Sequence, residues 1–121
     1  MLTNITLSNI NLFVKDINSA KLFYTKALCL VENTKLSAVP SFILLNADAC
    51  KITLQDSSAP GAATGKADSV ELGFEVEDVE AARKRLLEWG VEVTEIQQMG
   101  WGGEFYATDP DGHRPTIFRR L

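Results

Sequence analysis

The stretch Ile10-x-Leu12-x-Val14-x-Asp16-x-x-x-Ala20 recurs 62 residues later as Leu72-x-Phe74-x-Val76-x-Asp78-x-x-x-Ala82. In both copies the apolar residues alternate with the period of a half-buried strand. The aspartate after them can accept the unpaired N–H groups of a first helical turn. Helically spaced apolar residues come next: Ile17, Ala20, Phe23, Tyr24, Ala27 and Leu28 in the first copy, and Val79, Ala82, Leu86 and Trp89 in the second. This spacing predicts that Trp89 is a core residue and that Gly90 ends the second helix. Three short strand candidates come after each helix, over 30–35, 41–45 and 51–55, then over 91–96, 104–108 and 113–118. The turn at Asn46-Ala47-Asp48-Ala49 joins one pair, and Asp109-Pro110-Asp111-Gly112 joins another. In the second turn proline is pre-set for a type I geometry and glycine tolerates a left-handed conformation at the exit.

A β-α-β-β-β unit covers one sheet face with its helix and leaves the other open, so two such units solve their problem by pairing. The expected fold is α+β: two βαβββ modules forming a curved mixed sheet around a pocket, with the helices on the convex side. The first module covers about 5–56 and the second about 69–121, joined by a Gly/Pro/Ser-bearing linker at about 57–68, within a single 1–121 domain.

Composition excludes several classes. A net charge of −4 and a pI near 4.9 argue against a nucleic-acid surface, which needs clustered Lys and Arg. No apolar run reaches membrane-spanning length and no basic-then-apolar leader opens the chain, so a cytoplasmic protein is expected. Cys29 and Cys50 are far apart, fit no CxxC pattern and read as buried reduced thiols.

Three stretches carry a resemblance to a known family. They are Asn9-Ile10-Asn11-Leu12-Phe13-Val14-Lys15-Asp16 with Phe23-Tyr24, then Leu72-Gly73-Phe74-Glu75-Val76-Glu77-Asp78-Val79 with Trp89-Gly90-Val91, and Phe105-Tyr106-Ala107-Thr108-Asp109-Pro110-Asp111-Gly112-His113-Arg114. Together they span both modules, and the chain resembles the vicinal oxygen chelate superfamily of glyoxalases, bleomycin-resistance proteins, fosfomycin-modifying enzymes and extradiol dioxygenases. The resemblance implies a pocket, commonly at a homodimer interface, and in metal-dependent relatives four ligand positions filled by His and Glu. Carried over, those positions are Asn9 and Glu71 on the first strands and Thr53 and Thr116 on the last.

An amide, a carboxylate and two hydroxyls are a poor donor set for Zn, Ni, Mn or Fe, so no metal and no cofactor are expected. His113, the one histidine, is expected to face solvent beyond the turn. If Ile10, Leu12 and Val14 face the helix, alternation turns Asn9, Asn11 and Phe13 to the pocket, with Thr53, Gln55, Glu71, Thr116 and Phe118. Trp101, on the Gly-Trp-Gly-Gly approach to the last hairpin, reads either as a pocket lid or as a dimer anchor. Glu71 reads as a pocket carboxylate or as half of a surface salt bridge, and Glu75 as a pocket residue or a solvated one.

The expected function is metal-independent binding of a small organic ligand, cationic or aromatic, as in drug-binding and antibiotic-resistance proteins. The alternatives are a glyoxalase-like lyase or isomerase, or another enzyme with a degenerate or absent metal site, and a purely structural module. No nucleophile–histidine arrangement or phosphate loop supports an enzyme.

Overall fold

The computed structural model describes residues 7–48, 50–58 and 70–121, so most of the expected linker, the first residues of the first module and Ala49 of the first turn lie outside the described residues. The described elements are β1 (Asn9–Val14), α1 (Ile17–Leu22) with a wider π-type turn at Phe23–Ala27, β2 (Val31–Glu32), β3 (Phe42–Ala47), β4 (Cys50–Asp56), β5 (Gly73–Glu75), α2 (Val79–Glu88), β6 (Gln97–Met99), β7 (Gly102–Tyr106) and β8 (Thr116–Arg120). They fall into two compact units, and each unit holds one four-stranded mixed sheet. The fold is α+β, with a βαβββ order in both units, as the repeat predicts.

The two sheets repeat one topology, β1-β4-β3-β2 in the first and β5-β8-β7-β6 in the second. In each, the first and last strands pair in parallel and the rest pair antiparallel. The first helix packs on β3 and β4, and the second on β7 and β8. Register places Ile52 beside Ile10 and Leu54 beside Leu12, with Ile43 and Leu45 on the next strand. These residues and Val14 form the apolar face of the first sheet, and all but Ile10 are buried. In the second sheet Phe74, Ile117 and Phe105 stand in one row, and Leu72, Leu86, Phe105 and Ile117 are buried. Burial of each such side chain contributes roughly 1.5–3 kcal/mol.

Both predicted caps are present. Asp16 Oδ1 accepts from the Asn18 and Ser19 N–H groups, and its Oδ2 accepts from the Ser19 hydroxyl. The Ser19 hydroxyl and these amides hold the Asp16 carboxyl below its ordinary value. Asp78 Oδ1 accepts from the Ala81 N–H.

Four local expectations are corrected. Trp89 is 51% exposed rather than in the core, because α2 stops before it. The N–H of Gly90, at φ 73°, reaches the Leu87 carbonyl and that of Val91 reaches Leu86, a Schellman ending that leaves Leu86 as the last core contact. The strand expected over 30–35 shrinks to Val31–Glu32, because Asn33 Oδ1 accepts the Lys35 and Leu36 N–H groups and curls the chain. The strand expected over 91–96 gives only a bridge from Val93 to Ala107. There the Thr94 hydroxyl takes the Tyr106 N–H at 2.9 Å, which interrupts the ladder before β6. Neither thiol is fully buried: Cys50 is half-buried on β4, and Cys29 is exposed at φ 63°, where the chain turns out of the helical segment.

Gly102 opens β7 at φ 153°, and a Cβ there would overlap the Arg119 carbonyl on β8. Gly102→Ala is expected to cost at least about 2 kcal/mol, lowering the melting temperature by about 8 °C, measured by circular dichroism. An unchanged melting curve would contradict this close approach of β7 and β8.

Candidate functional site

Each sheet has one face turned from its helix, and those faces carry the residues singled out by alternation. On the first sheet the rows are Asn9–Lys51–Asn46, Asn11–Thr53–Leu44 and Phe13–Gln55–Phe42. Thr53 is only 1% exposed, and a hydroxyl so buried needs partners. It accepts from Asn9 Nδ2 at 3.1 Å and donates to Asn11 Oδ1 at 2.8 Å. Asn11 Nδ2 passes the chain on to Gln55 Oε1 at 2.9 Å. Asn9, Thr53, Asn11 and Gln55 thus form one unidirectional ladder of neutral groups, flanked by the half-buried rings of Phe13 and Phe42.

On the second sheet the rows are Gly73–Thr116–Tyr106 and Glu75–Phe118–Glu104. Thr116 is buried and donates its hydroxyl to Glu71 Oε1 at 2.8 Å. Glu71 Oε2 takes Arg114 Nη2 at 3.2 Å, and the Arg114 guanidinium lies 4.0 Å from the centre of the Tyr106 ring. Next to it Arg120 Nη1 meets Glu75 Oε1 at 3.2 Å and its guanidinium lies 4.8 Å from the Phe118 ring. The Trp101 ring meets Phe118 edge-on at 6.0 Å and stays partly exposed. Gly73 leaves room for Phe118, since a Cβ there would sit 3.2 Å from its ring.

Thus Asn9, Asn11, Phe13, Thr53 and Gln55 share the face of the first sheet, and Thr116 and Phe118 that of the second, where Glu71, two residues before β5, bonds Thr116, and Trp101, between β6 and β7, meets Phe118. Glu71 is at once half of a salt bridge and a carboxylate on this face. Glu75 is exposed and ion-paired. Arg114, Arg120 and Tyr106 are not among the residues that the sequence singles out. A signal for the arginines is present, because Arg114, Thr116, Phe118 and Arg120 lie two residues apart and alternation turns them to one side.

The family's four metal-ligand positions, Asn9, Thr53, Glu71 and Thr116, do not suit a transition-metal ion. Three of them offer only neutral oxygens or an amide, and their polar groups are spent on each other. The one carboxylate has one oxygen on Thr116 and the other on Arg114. A cation approaching Glu71, metal or organic, competes with a guanidinium already there.

Comparison with known proteins agrees with this fold. The model of the Glyoxalase/Bleomycin resistance protein/Dioxygenase superfamily matches residues 6–115. No curated protein sequence matches significantly. Among solved structures, TnmS3, an antibiotic binding protein from Streptomyces sp. CB03234, superposes with TM-score 0.80 at 22% identity over 100% of both chains. A lactoylglutathione lyase from Agrobacterium tumefaciens gives TM-score 0.75 at 16% identity, over 98% of this chain and 96% of that one. A glyoxalase/bleomycin resistance protein/dioxygenase from Nocardioides gives 0.77 at 22%, over 100% and 87%.

The turn before Arg114 has its own electrostatics. Its hydrogen bond runs from the Gly112 N–H to the Asp109 carbonyl, with Gly112 at φ 88°, as the sequence predicts. His113 does not face solvent: it is buried, with Nδ1 2.6 Å from Asp109 Oδ2. Asp109 Oδ1 also takes the Asp111 and His113 N–H groups, and the buried carboxylate draws the ring inward. The hydrogen bond to Asp109 raises the His113 pKa above 6.5, against an opposing effect of burial. A raised folded-state value means that the pair's stabilisation is complete below 6.5 and is lost as pH rises through the higher folded value. The wild-type melting temperature is therefore expected to fall over that range relative to His113→Gln, measured in parallel thermal melts. Parallel curves would show that the pair carries no proton-linked stability.

Proposed function

The chain belongs to the glyoxalase/bleomycin resistance protein/dioxygenase superfamily, and on that premise we propose that it is a metal-independent binder of a flat organic molecule, of the drug-binding kind. The observation that supports this is the closure of the ligand positions into Asn9–Thr53 and Glu71–Thr116 hydrogen-bonded pairs. Groups arranged in this way hold a ligand by hydrogen bonds and ring contact, without the open coordination position that metal catalysis uses. In this reading the ligand-binding residues are Asn9, Asn11, Phe13, Thr53 and Gln55 on the face of the first sheet, and Glu71, Trp101, Thr116 and Phe118 on that of the second, each face being taken by itself. The antibiotic binding of TnmS3, a protein of the same fold, makes resistance by sequestration a matching role: affinity without turnover. The family resemblance adds a homodimer, and the sequence pattern a cytoplasmic location; equilibrium sedimentation is expected to give twice the 13.3 kDa chain mass.

Two measurements check the reading together. Protein purified without chelators is expected to carry transition metal far below one equivalent by elemental analysis. A thermal-shift screen of flat organic compounds, antibiotics included, is expected to stabilise the fold by about 2.7 kcal/mol at a hundredfold excess over Kd. Stoichiometric metal lost on Glu71→Gln, or no stabilisation across the whole set, would overturn it.

A further inference from the structure

Arg114 is held on three sides. Its Nη2 donates to Glu71 Oε2 at 3.2 Å, and its Cζ lies 4.0 Å from the Tyr106 ring centre. Glu71 is itself fixed by the buried Thr116 hydroxyl at 2.8 Å. On the chain side, Pro115 is buried, its carbonyl takes the Ala107 N–H at 3.0 Å, and Asp109 pins His113 just before. Yet the side chain is 57% exposed, and its Nε and Nη1 hydrogens have no partner among the described residues. A guanidinium that spends one Nη2 hydrogen on a carboxylate keeps one of its two donor forks, pairing the other Nη2 hydrogen with Nη1 or with Nε, for a further acceptor.

We infer that Arg114 is the specificity-determining residue of the binding face, selecting planar ligands that carry an oxygen acceptor, a carboxylate or phenolate, over planar cations. The inference rests on the binding reading above and replaces the cationic preference drawn from the sequence. A cationic ligand would have to part Glu71 from Arg114, whereas an oxyanion meets unspent donors. The Tyr106 ring and the Glu71 carboxylate limit where the guanidinium can lie, so an acceptor on a flat ring can meet the remaining fork while the ring packs against neighbouring aromatics. Arg120 repeats the arrangement, ion-paired to Glu75 and set against Phe118, so the face holds a second guanidinium of the same kind. Because each arginine is neutralised by one glutamate, selection acts at contact distance through directed hydrogen bonds.

The test uses two probes of one shape and opposite charge, anthracene carboxylate and anthracenylmethylammonium, titrated into the full chain near neutral pH by calorimetry. The wild type is expected to bind the carboxylate about tenfold more tightly than the ammonium or better. Arg114→Met should weaken the carboxylate by about tenfold and strengthen the ammonium, since Glu71 is then released. Arg114→Lys should fall between, keeping the charge but losing the planar fork. Should Arg114→Met fail to fold by circular dichroism, Arg114→Lys and Arg114→Gln carry the comparison. A wild-type preference for the ammonium, or a ratio unmoved by the substitutions, overturns the inference and leaves the binding reading standing. So does failure of both probes while other flat compounds bind. Failure of every compound brings down the binding reading, and this inference with it.

Discussion

The parallel pairing of the first and last strands in each unit is the constraint on which the rest depends. A parallel partner cannot be reached through a tight hairpin, so a helix and two further strands intervene before the chain returns. That return places residues far apart in sequence side by side: Asn11 beside Thr53 in one unit and Gly73 beside Thr116 in the other. The antiparallel strands beyond them extend the sheet, and the helix covers the face with matching apolar residues. Without that parallel register, neither the apolar face nor the polar one would have its rows.

The threonine in each last strand then decides the chemistry of the opposite face. A buried hydroxyl without a partner is costly, so Thr53 and Thr116 recruit whatever polar group the first strand, or the chain leading into it, brings. In one unit these are asparagines, and the result is a neutral ladder that ends on Gln55. In the other it is Glu71, and the charge calls in Arg114. The same register thus produces two different surfaces, one of amides and one of ion pairs set on aromatic rings. Surface ion pairs of this sort contribute only about 0–1 kcal/mol each, so the fold has little need of them. Their effect lies in fixing the orientation of the arginines.

Much of the fold is legible because local signals agree. The alternation of Ile10, Leu12 and Val14, the caps at Asp16 and Asp78, and the turn at Asp109–Gly112 each need only neighbouring residues to be read. The errors arise where a local preference meets a distant partner or a competing cap. Trp89 has helical spacing, but the Gly90 ending removes it from the helix face. Val91 to Ile96 has strand composition, but the Thr94 hydroxyl substitutes for the backbone. His113 reads as solvated because nothing within the strand pattern reveals that Asp109 turns inward. The residues expected at the site do lie on the sheet faces turned from the helices, whereas the pairing of Arg114 with Glu71, 43 residues apart, needs the register itself.

The turn at Asp109–Gly112 shows that geometry and chemistry are not separate here. Proline and glycine reverse the chain, but Asp109 does more, gathering two backbone N–H groups and the His113 ring with one buried carboxylate. His113 is thereby fixed, and the next residue leaves the turn in a set direction. That residue is Arg114, and buried Pro115 restrains the backbone on its other side. A flexible arginine loses much side-chain entropy when it settles on a ring, and a backbone anchored on both sides narrows where its plane can lie. A turn that closes the last hairpin therefore also positions the guanidinium that bridges Glu71 and the Tyr106 ring.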